Sequence, residues 1–224
     1  MAKSRENTVD LAYAHLRAQL VAFEVKPGNR LNESEIASGL SMSRAPVREA
    51  LNRLIADGFV SFVPGRGFFS RRFSVSEMAD LYAVRRDLEL GALSDAMAGA
   101  SDDAIAGFVA TWSEEAPIAA DLDALVDRDE QFHQALAALS GNAARLHYLT
   151  NINDRIRFVR RINLEGAARR QGALAEHDAL IEAVSRRDGA GAKAVLRAHL
   201  DRSTDEVRVQ VQNALAQIFA DEVA

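Results

Sequence analysis

The sequence predicts a mainly α-helical protein of two modules, a small N-terminal one that ends in a β-hairpin and a larger antiparallel helical bundle. Apolar residues recur at helical spacing along most of the 224 residues. Two short β-rich runs, 59–63 and 67–73, flank the turn Pro64-Gly65-Arg66-Gly67 and predict the hairpin. Residues 1–75 hold 11 of the 27 Lys and Arg but 7 of the 32 Asp and Glu, whereas the rest holds 16 against 25. We therefore expect a net positive module over 1–73 and a net negative one over 74–224.

Composition limits the classes of protein that this chain can represent. The sequence is 48% hydrophobic and 26% charged, as is normal for a globular protein with a core. It has no cysteine, so disulfides and thiolate metal sites are excluded and a metal would need His and carboxylate ligands. The first ten residues lack the apolar segment of a signal peptide, and no apolar run approaches the roughly 18 residues of a membrane span. We expect a cytoplasmic protein with no membrane partner.

The first two helices of the N-terminal module are indicated by an apolar stripe and by a cap. The stripe of the first helix consists of Leu11, Ala14, Leu16, Leu20 and Phe23. Pro27-Gly28 then predicts a turn. Asn32 can cap a short second helix over 33–40, with Glu35 at the capping-box position.

The third predicted helix has one apolar face and one basic face. Ser43 is a suitable N-cap, Pro46 fits the first turn, and Gly58 ends the helix. The apolar face consists of Val47, Ala50, Leu51, Leu54 and Ile55. The other face carries Arg44, Arg48 and Asn52, each four residues from the next. Such a helix suits the DNA major groove, and helix, helix, turn, helix, hairpin is the layout of a winged helix-turn-helix.

The second module is predicted to be all helical. Its helices are expected over residues 76–98, 101–115, 122–139, 142–163, 169–187, 193–199 and 203–219. Pro117 is expected to interrupt the chain after the second of these, and Gly189 and Gly191 to separate the fifth from the sixth. Because the connections are short, these helices should form an antiparallel bundle.

Four side chains of the bundle could hold a divalent cation. Asp129 and His133 lie one helical turn apart, and His177 and His199 fall on two later helices. Inward groups from three helices can meet at one level, and three imidazoles with one carboxylate leave coordination open for water or an acid. The alternative is that these are ordinary surface or core histidines.

Two further polar patterns suit a carboxylate ligand. Arg85 shares a helix face with Glu89, so it can either bind a carboxylate in the bundle or form an ion pair with Glu89 on a solvated face. Asn153 and Arg157 form a similar i, i+4 pair. Catalytic motifs such as H-E-x-x-H or a Gly-rich phosphate loop do not stand out, so we do not expect an enzyme. A metal-dependent hydrolase is retained as an alternative.

Two stretches carry a resemblance to a known family. PGNRLNESEIASGLSMSRAPVREALNRLIADGFVSFVPGRGFF resembles the DNA-binding module of GntR-type bacterial transcription regulators. YAVRRDLEL, DEQFHQALAALSGN, EHDALIEAV and AHL resemble the FadR C-terminal domain class, abbreviated FCD.

The resemblance implies a homodimer that binds a near-palindromic operator, acts as a repressor and responds to a small organic or sugar acid. In the metal-binding FCD subgroup an Asp and three His hold a divalent ion, and those positions fall on Asp129, His133, His177 and His199. The ion would be Zn, Ni, Mn or Fe, with Zn expected as purified. Arg85 is carried over as a contact to the effector carboxylate. The alternative is a metal-free regulator with another effector.

The resemblance also implies a DNA-contacting set. This set consists of Ser43, Arg44, Ala45, Pro46, Arg48, Arg66 and Gly67. Many family members have Thr where this chain has Ala45, so the preferred half-site is expected to differ. Effector binding is expected to release the protein from DNA.

Overall fold

A computed structural model of the chain describes residues 2–72, 74–113 and 121–219. The chain divides into two compact units, Met1–Ser74 and Val75–Ala224. The first unit combines helices with a small sheet, and the described residues of the second form helices joined by short connections. The predicted mainly α fold class, with a winged helix-turn-helix followed by a helical bundle, is confirmed.

The first unit contains three helices and a three-stranded antiparallel sheet. Its elements are α1 (Ala2–Val21), β1 (Arg30–Leu31), α2 (Glu33–Gly39), α3 (Arg44–Ala56), β2 (Val60–Val63) and β3 (Gly67–Ser70). The strand order is β1-β3-β2. Val60 pairs with Ser70 and Val63 with Gly67, which is the predicted hairpin. Strand β1 was not predicted, because two residues are too few to show a strand pattern.

The core of the first unit lies between α1, α3 and the sheet. Its fully buried side chains include Leu16, Val47, Leu51, Leu54 and Phe68. The predicted stripe of α1 was wrong in part, because Leu11 is 57% exposed while Val9 and Ala12 are buried. Helix α1 packs against α3. Its buried stripe therefore runs through positions 9, 12, 16 and 20, at the spacing of one helix face.

The ends of α2 and α3 show which capping predictions hold. The Asn32 side chain accepts from the backbone N–H of Ser34, and its amide also donates to Glu35 (2.7 Å). Ser43 occupies the N-cap position of α3, but its side chain makes no capping hydrogen bond, so that part of the prediction was wrong. At the other end, Gly58 has φ 82°, and the N–H of Phe59 reaches the carbonyl of Leu54 (2.9 Å). This is a Schellman ending, which favours glycine at position 58.

The second unit contains six helices in its described residues. They are α4 (Val75–Gly99), α5 (Asp102–Trp112), α6 (Leu122–Ala138), α7 (Ala143–Glu165), α8 (Ala167–Ser185) and α9 (Gly189–Phe219). Their core includes Leu93, Phe108, Phe132, Leu136, Leu180 and Leu196. Among the described residues no helix has the length and apolar character that crossing a membrane requires.

Two predicted boundaries in the bundle differ from the structure. Residues 193–199 and 203–219 were expected to be separate helices, but α9 is continuous from Gly189. The two glycines lie in its first turn, where Asp188 Oδ1 accepts from the N–H of Gly191 (2.9 Å), so they begin a helix rather than break one. Helix α5 ends at Trp112, and the predicted interruption at Pro117 falls outside the described residues.

Candidate functional site

Three helices of the bundle bring the four predicted metal ligands together. Helix α6 carries Asp129 and His133 one turn apart, α8 carries His177 and α9 carries His199. One ligand atom from each residue lies within 4.8 Å of all the others. The three imidazoles are buried, and the Asp129 side chain is 13% exposed. The arrangement is a closed cluster with the ligand types of a borderline divalent ion.

Two glutamates fix the orientation of two of the imidazoles. His133 Nδ1 lies 2.6 Å from Glu89 Oε2, and His199 Nδ1 lies 2.6 Å from Glu176 Oε2. A carboxylate at Nδ1 assigns the proton to that nitrogen and leaves Nε2 as a lone-pair donor. Glu89 and Glu176 therefore aim two Nε2 atoms into the cluster.

The Nε2 atoms lack the partners that neutral imidazoles would need. His133 Nε2 and His199 Nε2 face each other at 3.2 Å, although both are acceptors in the tautomer that the glutamates select. His177 Nε2 is buried without a hydrogen-bond partner among the described residues. Its distance to Asp129 Oδ1 is 3.6 Å. Because a cation would satisfy all these lone pairs together, the residues fit a divalent metal ion.

The electrostatics of the cluster support the protonation states that metal binding requires. Burial lowers the pKa of His133 and lowers that of His177 further, so both imidazoles are neutral near pH 7. Burial raises the pKa of Asp129, but His133, which is protonated at the low pH where this carboxyl titrates, and Arg160 outweigh burial and hold that pKa far below its usual range. Burial likewise opposes ionisation of Glu89, but Arg85 and His133 lower its pKa to about 2. Neutral imidazoles and ionised carboxylates are the forms that ligate.

Arg85 lies beside the cluster and is partly paired. Its Nε donates to Glu89 Oε1 (2.6 Å), so the expected ion pair exists, but it is buried rather than solvated. Its Nη2 has no hydrogen-bond partner among the described residues. Arg85 borders a cavity of about 20 Å³ together with Asp129, Arg160, Arg169 and His199. This polar pocket has room for roughly one water-sized group and offers donors to an anion.

The other predicted effector contacts lie outside this pocket. Asn153 is buried and accepts from Arg160 Nη2 (3.0 Å). Arg157 donates to Glu130 (2.7 Å) and to Asp127, so two carboxylates of α6 already engage its guanidinium. Neither Asn153 nor Arg157 lines this pocket. Their role in effector binding stays a prediction. In the structure Asn153 contacts another residue of α7, and Arg157 connects α7 to α6.

Sequence reasoning missed several residues that support the ligands. Arg160 Nε lies 3.3 Å from Asp129 Oδ2, and Arg169 lies 3.4 Å from Glu176. Glu176 precedes His177 in the chain, yet it contacts His199, 23 residues away. The spacing of one helix gives no signal for such contacts between helices.

A larger cavity opens next to the polar pocket. Its volume is about 390 Å³, and Asp129, Leu164 and Ala173 line both cavities. Apolar side chains of α5, α6 and α8 form most of its wall, including Trp112, Leu125, Phe132, Leu174 and Ile181. The Phe132 ring stacks on the imidazole of His177 at 4.0 Å. The cluster is thus bordered by one polar and one apolar space.

In the first unit, helix α3 exposes the predicted basic face. The side chains of Arg44 and Arg48 are 65% and 59% exposed. Both lie near Glu33, at 4.0 and 3.7 Å. Ser43 and Ala45 are also exposed, whereas Pro46 is buried. Pro46 lies in the first turn of α3, and its place in the DNA-contacting set stays a prediction.

The tip of the hairpin holds the remaining predicted DNA contacts. Gly65 and Gly67 have φ of 74° and 94°, which permits the tight turn between β2 and β3. Arg66 is exposed, and its guanidinium carbon lies 5.3 Å from the centroid of the Phe69 ring. A cation is thus presented at the end of the wing.

Comparison with known proteins assigns the family. Residues 8–69 match the family model described as bacterial regulatory proteins, gntR family, and residues 80–202 match the FCD domain. The Nta operon transcriptional regulator of Aminobacter aminovorans is 33% identical over 202 residues, which cover 89% of this chain and 94% of that protein. The chain belongs to the GntR family of transcriptional regulators. This GntR regulator carries an FCD domain, as the resemblance implied.

Further relatives agree with this assignment. The HTH-type transcriptional repressor RspR of Escherichia coli K12 is 23% identical, with 94% of this chain and 92% of that one covered. A GntR regulator from Rhodococcus sp. RHA1 shares the fold with a TM-score of 0.68 at 24% identity, covering 90% and 97% of the two chains. E. coli McbR/YncC does so with a TM-score of 0.66 at 21% identity, covering 91% and 98%. The relatives are regulators rather than enzymes, which confirms the prediction that this GntR protein is not an enzyme.

Proposed function

We propose that this GntR regulator is a homodimeric repressor whose operator binding is relieved by a small carboxylate at a divalent metal site in the FCD domain. The observation that carries the proposal is the buried convergence of Asp129, His133, His177 and His199 within 4.8 Å. Their partnerless lone pairs are costly unless a cation is bound. The relative RspR is named a repressor, which favours that sign of regulation.

Each part of the cluster has a role in this proposal. The four ligand residues would hold Zn, Ni, Mn or Fe, with Zn expected in the purified protein. When bound, the ion supplies positive charge and open coordination for an organic or sugar acid. Glu89 and Glu176 orient His133 and His199. Arg85 Nη2, which has no partner among the described residues, donates to the acid's second oxygen.

The DNA-binding surface is the exposed face of α3 and the tip of the wing. Arg44 and Arg48 would contact base edges or phosphates in the major groove, while Arg66 and Gly67 would lie at the minor groove or backbone. A two-fold dimer would place two such surfaces on a near-palindromic operator. The acid can regulate only if it binds the DNA-competent and DNA-free arrangements with different affinity.

The decisive experiment combines metal analysis with operator binding. Purified protein should contain about one divalent ion per chain, and a gel shift should show release of DNA by a carboxylate from a panel of organic and sugar acids. His177→Ala should lose the ion and the response while it keeps operator binding. His147→Ala is the matched control, because His147 is an exposed histidine of the same unit and should behave as wild type.

Three results would contradict the proposal in different ways. Metal-free protein that still responds to an acid would favour a metal-free regulator that binds the acid through Arg85. Acid that strengthens operator binding would reverse the sign of regulation. Loss of operator binding in His177→Ala would show that the cluster serves folding.

A further inference from the structure

We infer that the effector of this regulator is a monocarboxylate with an apolar tail, aromatic or short aliphatic, and not a hydroxyl-rich sugar acid. The inference rests on the proposed carboxylate site and narrows its ligand class. Its basis is the juxtaposition of two unlike spaces, the polar pocket of about 20 Å³ and the apolar cavity of about 390 Å³.

The polar pocket has room for one oxygen of a carboxylate and little else. Its volume corresponds to about one water-sized group. Arg85 Nη2 is buried there without a hydrogen-bond partner in the described part of the chain, and it is a donor that an anionic head group can satisfy. The remainder of any larger ligand must lie elsewhere.

The apolar cavity is where that remainder fits. It shares Asp129, Leu164 and Ala173 with the polar pocket, so a molecule whose head lies in one continues into the other. Its volume lies in the range of small-molecule sites, about 300–1,000 Å³. A carboxylate alone would leave this space unused.

The wall of the cavity selects an apolar tail. Trp112, Leu125, Phe132, Leu174 and Ile181 contribute aromatic and aliphatic surface. A sugar-acid hydroxyl that faces these side chains would lose its hydration without gaining a hydrogen bond, and only the polar minority of the wall, such as Ser113, Arg128 and Arg170, could replace it. A methylene or an aromatic ring gains from the same burial.

The two arginines at the cavity are held by contacts that leave their charge in place. Arg170 donates to the carbonyls of Leu164 (2.9 Å) and Glu165 (2.7 Å). The guanidinium carbon of Arg128 lies 5.3 Å from the centroid of the Trp112 ring. Asp178 is exposed, and its charge would repel a second carboxylate. A second carboxylate would also have to be desolvated against the apolar part of the wall, which favours a monoacid over a diacid.

The test is calorimetry of zinc-loaded full-length protein with a series of straight-chain acids and one sugar acid. Acetate, butyrate and hexanoate should bind progressively more tightly, by about fourfold per added methylene, which corresponds to about 0.8 kcal/mol. Gluconate should bind no more tightly than acetate. Phenylacetate should bind at least as tightly as butyrate.

A cavity-filling variant with a matched control locates the tail. Leu174→Trp, at a wall position that is 40% exposed, should weaken hexanoate binding by about tenfold or more, the equivalent of ~1.4 kcal/mol, and leave acetate unchanged. Leu11→Trp makes the same change at a 57% exposed helical position that does not line the cavity, and it should change neither.

The outcomes separate this inference from the proposed function. If acetate binds but affinity does not rise with chain length, or if gluconate binds more tightly than hexanoate, the apolar-tail inference is wrong and the carboxylate site stands. If neither acetate nor any longer acid binds the zinc-loaded protein, the carboxylate site itself is wrong. If Leu174→Trp weakens acetate and hexanoate equally, the tail does not occupy this cavity.

Discussion

At the scale of single residues, the proposed metal site is oriented by side chains that are not among its four ligands. His133 and His199 each place Nδ1 at 2.6 Å from a glutamate, and Arg160 reaches Asp129. These contacts fix which nitrogen carries the proton and where the ring points. Three of the four ligands therefore arrive already oriented. His177 is held instead by the stacked ring of Phe132.

The contact between Glu176 and His199 can be tested by an isosteric change. Glu176→Gln keeps the shape but weakens the acceptor for His199 Nδ1, so the affinity for zinc should fall by about 10–100-fold. The measurement is a competition titration with a chromogenic chelator. Glu182→Gln is the control, because Glu182 lies on the same helix, is 65% exposed and forms an ion pair with Arg186 rather than with a histidine. Equal zinc affinity in both variants would contradict an orienting role for Glu176.

The four candidate ligand residues could be predicted from the sequence, but the residues that orient them could not. The spacing of Asp129 and His133 on one helix is visible in the sequence, as are His177 and His199 on two later helices, and the resemblance implies that all four hold a metal ion. The contact between Glu89 and His133 joins residues 44 positions apart on different helices. Such contacts depend on how the helices pack and rotate. A helical repeat read from one segment does not contain that information.

At the scale of elements, the arginines at the two ends of α3 differ in their contacts. Arg53, near its C-terminus, donates to Asp10 (2.6 Å), and its guanidinium lies over the Tyr13 ring at 4.4 Å. Arg44 and Arg48, near its N-terminus, are the more exposed cations. One helix thus anchors itself to α1 with one arginine and presents two others to solvent.

This difference predicts distinct outcomes for two arginine substitutions. Arg48→Ala should lower operator affinity by about 1–3 kcal/mol, roughly 5- to 150-fold, if Arg48 makes a bidentate base contact. Arg53→Ala, on the same helix, should leave operator affinity within about twofold and instead lower the free energy of unfolding by up to about 1 kcal/mol. Gel shifts at fixed salt and denaturant titrations measure the two effects. An unchanged affinity in Arg48→Ala would remove α3 from the DNA interface.

The sequence patterns predicted which helices exist better than they predicted where each helix begins and ends. Gly58 ends α3 as expected, because a residue at φ 82° favours glycine. Gly189 and Gly191 suggested a break, yet they open the longest helix of the described residues. Glycine has the same intrinsic preference at both places. Whether a glycine ends or begins a helix depends on its neighbours. Asp188 precedes Gly189 and Gly191 and accepts from the N–H of Gly191, so a helix begins there.

At the scale of the whole molecule, metal binding should stabilise one unit and leave the other unaffected. A ligand at 100 times its dissociation constant adds about 2.7 kcal/mol to the folded state. For a domain of about 150 residues this raises the melting temperature by roughly 5–11 °C. Zinc should therefore shift the thermal transition of the second unit, and a chelator should reverse the shift.

Calorimetric scans with and without zinc provide the measurement. His147→Ala should show the full shift and His177→Ala none. A shift of equal size in both variants would mean that zinc binds elsewhere on the protein.

The division of the chain into two units and the opposite net charges of their sequences were predictable, because each depends on many residues together and not on a single contact.

Helix α9 extends far beyond the cluster that contains His199. The helix has 31 residues, so it spans about 46 Å at 1.5 Å per residue. His199 lies near its first third, which leaves about 30 Å of unbroken helix beyond the ligand. A rotation of about five degrees at His199 moves the far end by roughly 2.6 Å over that length. Because α9 packs against α4, α7 and α8, such a tilt would have to be shared with those helices, so an adjustment at His199 would be felt along the length of the bundle.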